Sequence, residues 1–157
     1  MERIAFHELP GGFLNPLLKV QEYVDSAGLD ASLLTLVRMR VSQINSCAYC
    51  LDMHYKEGIE AGETPLRLIS VGAWREAPYY SLKEEAVLAF AEHLTKLPGD
   101  VSSEGLHDDL NKYFSKQEIA FLTLAIVQIN SWNRIVRSFG TEAGKYQVKK
   151  KERAVPA

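Results

Sequence analysis

Apolar residues in this chain recur at spacings of three and four, which is the period of an amphipathic α-helix. The pattern is clear in the helix that we predict from the cap residue Asp30 to about Ile44. Its apolar side consists of Leu33, Leu34, Val37 and Val41. No alternating strand pattern bounded by hairpin turns is present. The chain is therefore predicted to be all-α, a compact bundle of six to seven helices.

Capping signals divide the rest of the chain into further helices. Two capping boxes, Ser81 with Glu84 and Ser115 with Glu118, mark helix starts. Residues 119–129 are apolar nearly all round, which is typical of a central helix or of one buried in a subunit contact. The other predicted helices span residues 14–26, 47–61 and 103–114, with one more beginning at Thr64 and Pro65.

Length and composition predict an ordinary globular domain. The chain has 157 residues, of which 46% are hydrophobic and 24% charged, so we expect one domain over residues 1–157. Its core covers about residues 13–140, and residues 145–157 form a frayed tail. The formal net charge of −2 predicts no nucleic-acid partner and no membrane partner. No apolar run looks long enough to span a bilayer, and we expect a cytoplasmic location.

The candidate chemistry lies in one short segment. Cys47 and Cys50 are the only cysteines, and His54 follows the second by four residues. On a helix these three positions share one face. The thiols could then close a disulfide, with the imidazole as a base beside Cys50. We therefore take Cys47, Cys50 and His54 as candidate catalytic residues of a thiol redox centre.

The residues before the cysteines favour this interpretation. Asn45 or Ser46 can cap a helix that begins at Cys47. Cys47 would then lie in the first turn, where the helix dipole favours a thiolate. By this argument alone, Cys47 is the residue that ionises.

Three other interpretations of the cysteines stay open. A structural zinc site needs four ligands, and His7, His93 and His107 are scattered without a second paired motif. The cysteines could be inert core residues, since free cysteine is often buried. They could also form a structural disulfide, although nothing indicates an oxidising compartment. We expect no metal and no bound cofactor.

The cysteine segment resembles a known family. Residues 40–54 are similar to the signature of the AhpD-like alkylhydroperoxidases, which belong to the carboxymuconolactone decarboxylase superfamily. The similarity extends through residues 61–64 and 74–76 and returns at 129–134, so it covers about residues 13–140.

The resemblance implies a thiol-dependent peroxidase or disulfide oxidoreductase. Cys50 would attack a hydroperoxide, Cys47 would resolve the sulfenic acid into a disulfide, and His54 would relay protons. The implied partners are a hydroperoxide substrate and a thiol reductant or partner redox protein. The implied assembly is a homotrimer or homohexamer. Alternatives are a decarboxylase of the same superfamily, which works without the cysteine pair, and a non-catalytic redox-sensing oligomer.

One position departs from the family pattern. Many members carry a glutamate twelve residues before the first cysteine, where this chain has Thr35. A threonine hydroxyl is no general base near neutral pH. The substitution Thr35→Glu is therefore predicted to raise the peroxidase rate. Other carboxylates could replace the missing one; the candidates are Asp52, Glu76, Glu84 and Glu85.

Two further features have both a structural and a functional interpretation. The helix after Ser81 has a predicted apolar side of Leu82, Ala86, Ala89, Phe90, His93 and Leu97. For His93 on that side, a core histidine is favoured over a second site histidine. The sequence of residues 43–46 recurs at 128–131. The repeat could mark two related helix ends that pack together, so that Gln128, Asn130 and Trp132 are structural or wall the site.

Overall fold

The structure, a computed structural model, describes residues 2–99 and 101–148. Within these residues the chain is all-α and contains no strand, as the sequence predicts. The helices are α1 (Asn15–Asp25), α2 (Ala31–Ile44), α3 (Ala48–Glu60), α4 (Pro65–Ser70), α5 (Leu82–Lys96), α6 (Glu104–Leu110) and α7 (Lys116–Phe139). Two short 3₁₀ turns, Phe6–Glu8 and Val71–Ala73, precede α1 and follow α4.

Most helix starts follow the predicted caps. The Asp30 carboxylate accepts from the backbone N–H groups at the start of α2. Thr64 caps α4 in the same way, and both predicted capping boxes are present. Each cap satisfies backbone donors that the first turn leaves without partners. The predicted helix over 103–114 is shorter than expected, because α6 ends at Leu110.

The central helix of the bundle is α2, which packs against α3, α5 and α7. One core cluster joins α2, α5, α6 and α7 around Phe90 and Leu122. A second lies between α2, α4 and α5 and includes Trp74. Burial of these apolar side chains provides the main stabilisation, at roughly 25 cal/mol per Å² of area removed from water.

The buried side of α5 differs from the predicted one. The predicted stripe ran from Leu82 to Leu97, but both leucines are exposed. Leu97 is the residue that ends the helix, in the left-handed region at φ 45°. The buried side is instead formed by Val87, Leu88, Phe90, Ala91, Glu92 and Thr95. The prediction failed because α5 packs against three neighbours, α2, α6 and α7.

Glu92 on α5 is a buried carboxylate held by three donors. Arg40 donates from 2.7 Å, Arg75 from 2.9 Å and the Trp74 indole N–H from 2.9 Å. These charge-assisted bonds hold the pKa of Glu92 below its ordinary value, although burial alone would raise it. The network ties α2, α5 and the segment after α4 together.

The corner between α2 and α3 is tight and has a defined geometry. Ser46 adopts the left-handed conformation at φ 52°. The N–H of Cys47 donates to the Ser42 carbonyl at 2.9 Å, and that of Ser46 donates to Gln43 at 3.0 Å. This pattern is a Schellman motif, which satisfies the last carbonyls of α2. Cys47 thus closes one helix and is the N-cap of the next.

The long helix α7 has the length and composition of a membrane-spanning helix, with a hydropathy of 1.3. It is the only such helix in the part of the chain that the structure describes. The sequence-based expectation that no segment meets this criterion was therefore wrong. A central helix of a bundle passes the same test, and α7 packs against α1, α2, α3 and α5.

The C-terminal segment, which we define as residues 141–148, folds back along α3. Tyr146 is half-buried there, between exposed neighbours. The N–H of Gly144 donates to the Asp52 carboxylate at 2.9 Å, and the Lys56 ammonium donates to the Tyr146 carbonyl at 2.8 Å. The predicted frayed tail therefore does not begin at 145. Its remaining part, 149–157, lies outside the described residues.

Candidate active site

The residues of the site are spaced along the N-terminal part of α3. The helix begins at Ala48, so Cys47 is its N-cap and Cys50 lies in its first turn. His54 follows one turn later, and Glu57 follows His54 by three residues. Positions three or four apart are neighbours on a helix surface. A single helix therefore presents a thiol pair, an imidazole and a carboxylate in sequence.

The helix start corrects two sequence-based predictions. Neither Asn45 nor Ser46 caps α3, because Asn45 ends α2 and Ser46 forms the left-handed corner. Cys50 instead of Cys47 occupies the first turn, where free N–H groups and the helix dipole favour a thiolate. Because the N-cap and the first turn both lie at the positive end of the helix dipole, the dipole argument no longer singles out Cys47 and does not distinguish the two cysteines.

Cys47 and Cys50 are joined by a disulfide, with their Cα atoms 5.4 Å apart. Both cysteines are buried, at 1% exposure each, and pack with Val136 and Tyr49. Only Cys50 of the pair contributes to the wall of the main cavity. A small molecule in that cavity would therefore meet Cys50 first.

His54 is oriented by a carboxylate. Its Nδ1 lies 3.0 Å from Oε2 of Glu57. The other oxygen of Glu57, Oε1, accepts a hydrogen bond of 2.6 Å from the Tyr146 hydroxyl. The buried Nε2 of His54 has no hydrogen-bond partner among the described residues.

Electrostatics favour a neutral His54 beside an ionised Glu57. Burial lowers the pKa of His54, and the bond to Glu57 offsets this only in part. Burial raises the pKa of Glu57, but the hydrogen bonds from His54 and Tyr146 outweigh it and the net shift is downward. An ionised carboxylate only accepts hydrogen bonds, so Nδ1 carries the proton. The lone pair of His54 is then on Nε2, where it can accept a proton.

A cavity of about 430 Å³ opens beside Cys50 and His54. Its walls come from α1, α2, α3 and α7, and they are mainly apolar. The apolar lining residues are Phe6, Leu14, Leu18, Met53, Ile129, Trp132 and Val136. Such a cavity suits a small organic molecule, since ligand sites are typically apolar pockets with a few oriented polar groups.

Polar groups on the cavity wall form one connected chain. The Gln128 amide donates to Gln21 at 2.5 Å, and Gln21 donates to Asp25 at 2.8 Å. Asp25 also accepts from Arg38 at 2.7 Å. This chain ties α7, α1 and α2 together across the cavity. Because Asp25 balances the charge of Arg38, this chain carries no net charge, and the ionised Glu57 is the remaining charged group on the cavity wall.

The carboxylate beside His54 is not one that the sequence analysis proposed. Among the described residues, none of the four candidates bonds to His54. Asp52 pairs with Lys56 at 2.7 Å, Glu84 pairs with Arg67 at 2.6 Å, and Glu76 and Glu85 lie on other elements. The missed residue is Glu57. Its signal was present in the sequence, since a carboxylate three residues after His54 shares its helix face.

Thr35 lies against α3 one turn beyond His54. Its hydroxyl donates to the Ala31 carbonyl of its own helix at 2.9 Å. A side chain at Gly58 would meet the Thr35 methyl at 3.1 Å, which shows how closely the two helices approach. Thr35 therefore contributes packing and no polar contact to His54.

The repeated sequence does bring two segments into contact. The Asn45 amide donates to Asn130 and Asn133 on α7, each at 2.9 Å. Unlike Asn45, however, Asn130 does not end a helix, because α7 continues to Phe139. Asn130 is thus structural, whereas Gln128 and Trp132 wall the cavity.

The remaining candidate residues do not join the site. His93 is half-buried on α5 and does not line the cavity of Cys50. The two cysteines are bonded to each other and not arranged as metal ligands. Over residues 2–99 and 101–148, no three His, Cys, Asp or Glu side chains are grouped so that they could hold a metal ion.

Comparison with known proteins agrees with this fold. Residues 12–93 match the carboxymuconolactone decarboxylase family. The chain is 32% identical over 142 residues to the uncharacterized protein YdfG of Bacillus subtilis, covering 90% of this chain and 97% of that protein. The chain therefore belongs to the carboxymuconolactone decarboxylase family.

Solved structures place it near the AhpD-like proteins of that family. The structure of ATU0492 from Agrobacterium tumefaciens, a protein of unknown function assigned provisionally to AhpD antioxidant defence, superposes with a TM-score of 0.87. It is 32% identical, and the match covers 93% of this chain and 100% of that one. The debrominase Bmp8 shares the fold at a TM-score of 0.74 and 17% identity, with 83% of this chain and 70% of that chain covered. The fold is thus used by at least one enzyme.

Proposed function

We propose that this protein is a thiol-dependent oxidoreductase that reduces organic hydroperoxides, hydrogen peroxide or the disulfide of a partner protein. The observation that carries the proposal is the meeting of Cys50 and His54 on the wall of one cavity, with Cys47 disulfide-bonded to Cys50 behind it. A nucleophile, a base and a resolving thiol are the groups that such a cycle requires.

The cycle begins with both cysteines reduced. His54 accepts the Cys50 proton at Nε2, and the thiolate attacks one oxygen of the hydroperoxide. An S–O bond forms as the O–O bond breaks, and the leaving alkoxide takes the proton from His54. Cys50 is now a sulfenic acid and the hydroperoxide has become an alcohol.

Resolution and reduction complete the cycle. The Cys47 thiol attacks the Cys50 sulfur, so that the S–S bond forms and the sulfenic oxygen leaves as water. An external dithiol, free or on a partner protein, then reduces the disulfide by two exchange steps. No bound cofactor takes part. A cytoplasmic location, where thiols are kept reduced, fits this cycle.

The structure favours the enzyme over a non-catalytic redox sensor. The sensor hypothesis rested on the missing glutamate at position 35. Glu57 supplies a carboxylate to His54 from α3 instead, so the absence at position 35 no longer counts against turnover. The intact cysteine pair also counts against decarboxylase chemistry, which works without it.

Peroxide consumption with a dithiol reductant tests the proposal. We expect turnover by the wild type and none by Cys50→Ser, because the nucleophile is gone. Cys47→Ser should trap a sulfenic acid on Cys50, detectable by a dimedone-type probe and mass spectrometry. Stoichiometric oxidation of the wild type without turnover would instead indicate a sensor. Sulfenic acid on Cys47 in Cys50→Ser would reverse the two roles.

We also propose a homo-oligomer of threefold symmetry, a trimer or a hexamer. Large apolar side chains on α1 and α7 are exposed, namely Leu18, Tyr23 and Val127. Their burial against another copy would remove apolar area from water. Light scattering should give a mass of three or six chains. A stable monomer at micromolar concentration would overturn this proposal.

A further inference from the structure

The C-terminal segment contributes a residue that the proposed function has not used. Tyr146 places its hydroxyl 2.6 Å from Oε1 of Glu57, while Oε2 of the same carboxylate meets His54. The two residues bonded to Glu57 are 92 positions apart in the chain. We propose that Tyr146 is a positioning residue, which holds Glu57 against His54 and thereby keeps the proton of the imidazole on Nδ1.

The fold holds Tyr146 in place by contacts that are separate from its hydroxyl. Gly144 turns the chain with a φ of +94°, a conformation that favours glycine. Its N–H bonds to Asp52, and Lys56 bonds to the Tyr146 carbonyl. The Tyr146 ring lies edge-on to Tyr49, with ring centres 6.5 Å apart. The C-terminal segment is therefore bonded to α3, the helix that carries the site, and this places the Tyr146 hydroxyl beside Glu57.

Glu57 needs such a partner because its side chain has room to move. It is 38% exposed, whereas His54 is 7% exposed. A carboxylate bonded through one oxygen can rotate or turn toward water. A second bond on the other oxygen restricts both motions, as partners behind a ligand or base commonly do. Tyr146 is the donor that the structure offers to that second oxygen.

The tautomer of His54 decides whether it can serve as a base. With Glu57 in place, Nδ1 donates and Nε2, which has no partner among the described residues, keeps its lone pair. The other charged groups near His54 are Arg38 on α2 and Asp25 on α1, which form an ion pair with each other. They oppose each other in their effect on His54. The Glu57 carboxylate is thus the group that selects the tautomer.

The inference rests on the proposed function for its catalytic meaning, but its test does not require a substrate. Nitrogen NMR of ¹⁵N-histidine distinguishes the two tautomers of His54 in the reduced protein. We expect the Nδ1–H form in the wild type and a mixture in Tyr146→Phe. That variant keeps the ring and loses only the hydroxyl. An unchanged tautomer in a folded Tyr146→Phe protein would overturn the proposal.

A functional measurement accompanies the spectrum. The alkylation rate of Cys50 by iodoacetamide should fall roughly tenfold in Tyr146→Phe at neutral pH, which is a fraction of the ~10²–10⁴-fold that a positioned base contributes. Tyr113→Phe is the matched control, since it removes a phenol hydroxyl at a residue that is outside the cavity wall. It should change neither the tautomer nor the alkylation rate.

A double-mutant cycle separates positioning from general stability. In Glu57→Gln the Tyr146 hydroxyl has no carboxylate to hold, so adding Tyr146→Phe should cause no further loss of alkylation rate. Additive losses would mean that Tyr146 acts independently of Glu57, and would overturn the proposal.

A measurement that leaves Tyr146 intact covers the case in which Tyr146→Phe does not fold. Burial and the Glu57 carboxylate raise the pKa of the Tyr146 phenol. In Glu57→Gln that pKa should fall, because the negative charge is gone. No change would overturn the contact. If the tautomer responds as expected while no peroxide is consumed, the positioning role stands and the proposed function fails.

Discussion

Four glutamates of the described residues are bonded on both carboxylate oxygens, namely Glu57, Glu63, Glu84 and Glu92. Two of them, Glu92 and Glu57, have contrasting partners. Glu92 is 7% exposed and is held by two guanidinium groups and an indole. Glu57 is held by an imidazole and a phenol, both of which are neutral when Glu57 is ionised. Both carboxylates have a lowered pKa. Glu92 is bonded to two permanent cations and an indole, whereas Glu57 is bonded to groups that can gain or lose a proton.

The comparison indicates what makes a paired carboxylate structural or reactive. The partners of Glu92 bond to both of its oxygens, so its protonation would weaken bonds that depend on its charge. The partner of Glu57 has a site for a further proton, because His54 lines the cavity and its Nε2 has no partner among the described residues. The chemistry of the neighbours, and not burial alone, separates the two roles.

The largest expected effect is a loss of stability when Glu92 is replaced. Glu92→Ala leaves the buried Trp74 indole and the partly buried Arg40 guanidinium without this partner. We expect a loss of about 3–5 kcal/mol in the free energy of unfolding, as is usual when one partner of a buried ion pair is removed. Urea denaturation measures it. Asp109→Ala, which removes an exposed ion pair with Lys112, is the control and should change nothing measurable.

Glu57→Gln should lower activity strongly and stability only slightly. The amide can accept from Tyr146 and donate to Nδ1, which forces the His54 proton onto Nε2 and removes the base. We expect peroxide turnover to fall by about 10²-fold, with a stability loss under about 1 kcal/mol. Glu60→Gln, an exposed position on the same helix, is the control. Full activity of Glu57→Gln would show that His54 does not depend on Glu57.

The pH dependence of stability should divide between the His54 imidazole and the two carboxylates. Burial lowers the pKa of His54, so the unfolded chain binds the proton more readily and stability falls as pH drops below about 6.5. The lowered pKa values of Glu92 and Glu57 contribute stability that is lost only as pH falls below about 4.5. Replacing His54 with asparagine should flatten the first decline and leave the second. An unchanged decline between about pH 6.5 and 5 would assign it to other groups.

The smallest expected effect is at position 35. The sequence analysis predicted a higher rate for Thr35→Glu. With Glu57 already bonded to Nδ1, we now expect a gain below about threefold, well short of a newly positioned base. Circular dichroism must first show that the variant folds, because Gly58 lies close to this position. A gain of tenfold or more would mean that Glu57 does not fill the role.

The sequence predicted those parts of the fold that depend on local interactions. The caps at Asp30, Thr64, Ser81 and Ser115 were read correctly, because a cap is formed by residues three apart. The start of α3 was missed by one residue because the Schellman corner depends on the backbone conformation of Ser46, and serine seldom adopts it. The side of α5 that is buried depends on three neighbouring helices at once, which no local pattern encodes.

The candidate site also combines residues that the sequence could predict with residues that it could not. Cys47, Cys50 and His54 could be selected from their spacing, and Glu57 could have been added by the same argument. Tyr146 could not, because the fold brings it 89 residues along the chain to meet Glu57. The residues of α1 and α7 that line the cavity could not be predicted either. The exceptions are Gln128 and Trp132, which the repeated sequence indicated.

The placement of the candidate groups along one helix has a consequence for how this protein can diverge. Cys47 is the N-cap of α3, and Cys50, His54 and Glu57 follow within the helix, whose geometry is nearly the same in every protein. The cavity lined by Cys50, His54 and Glu57 is built mainly from four helices, whose relative positions shift with each core substitution. Descendants of this chain could therefore alter what enters the cavity while these side chains keep their mutual distances. The shape of the cavity is free to drift, and the spacing of the candidate groups is inherited as one piece.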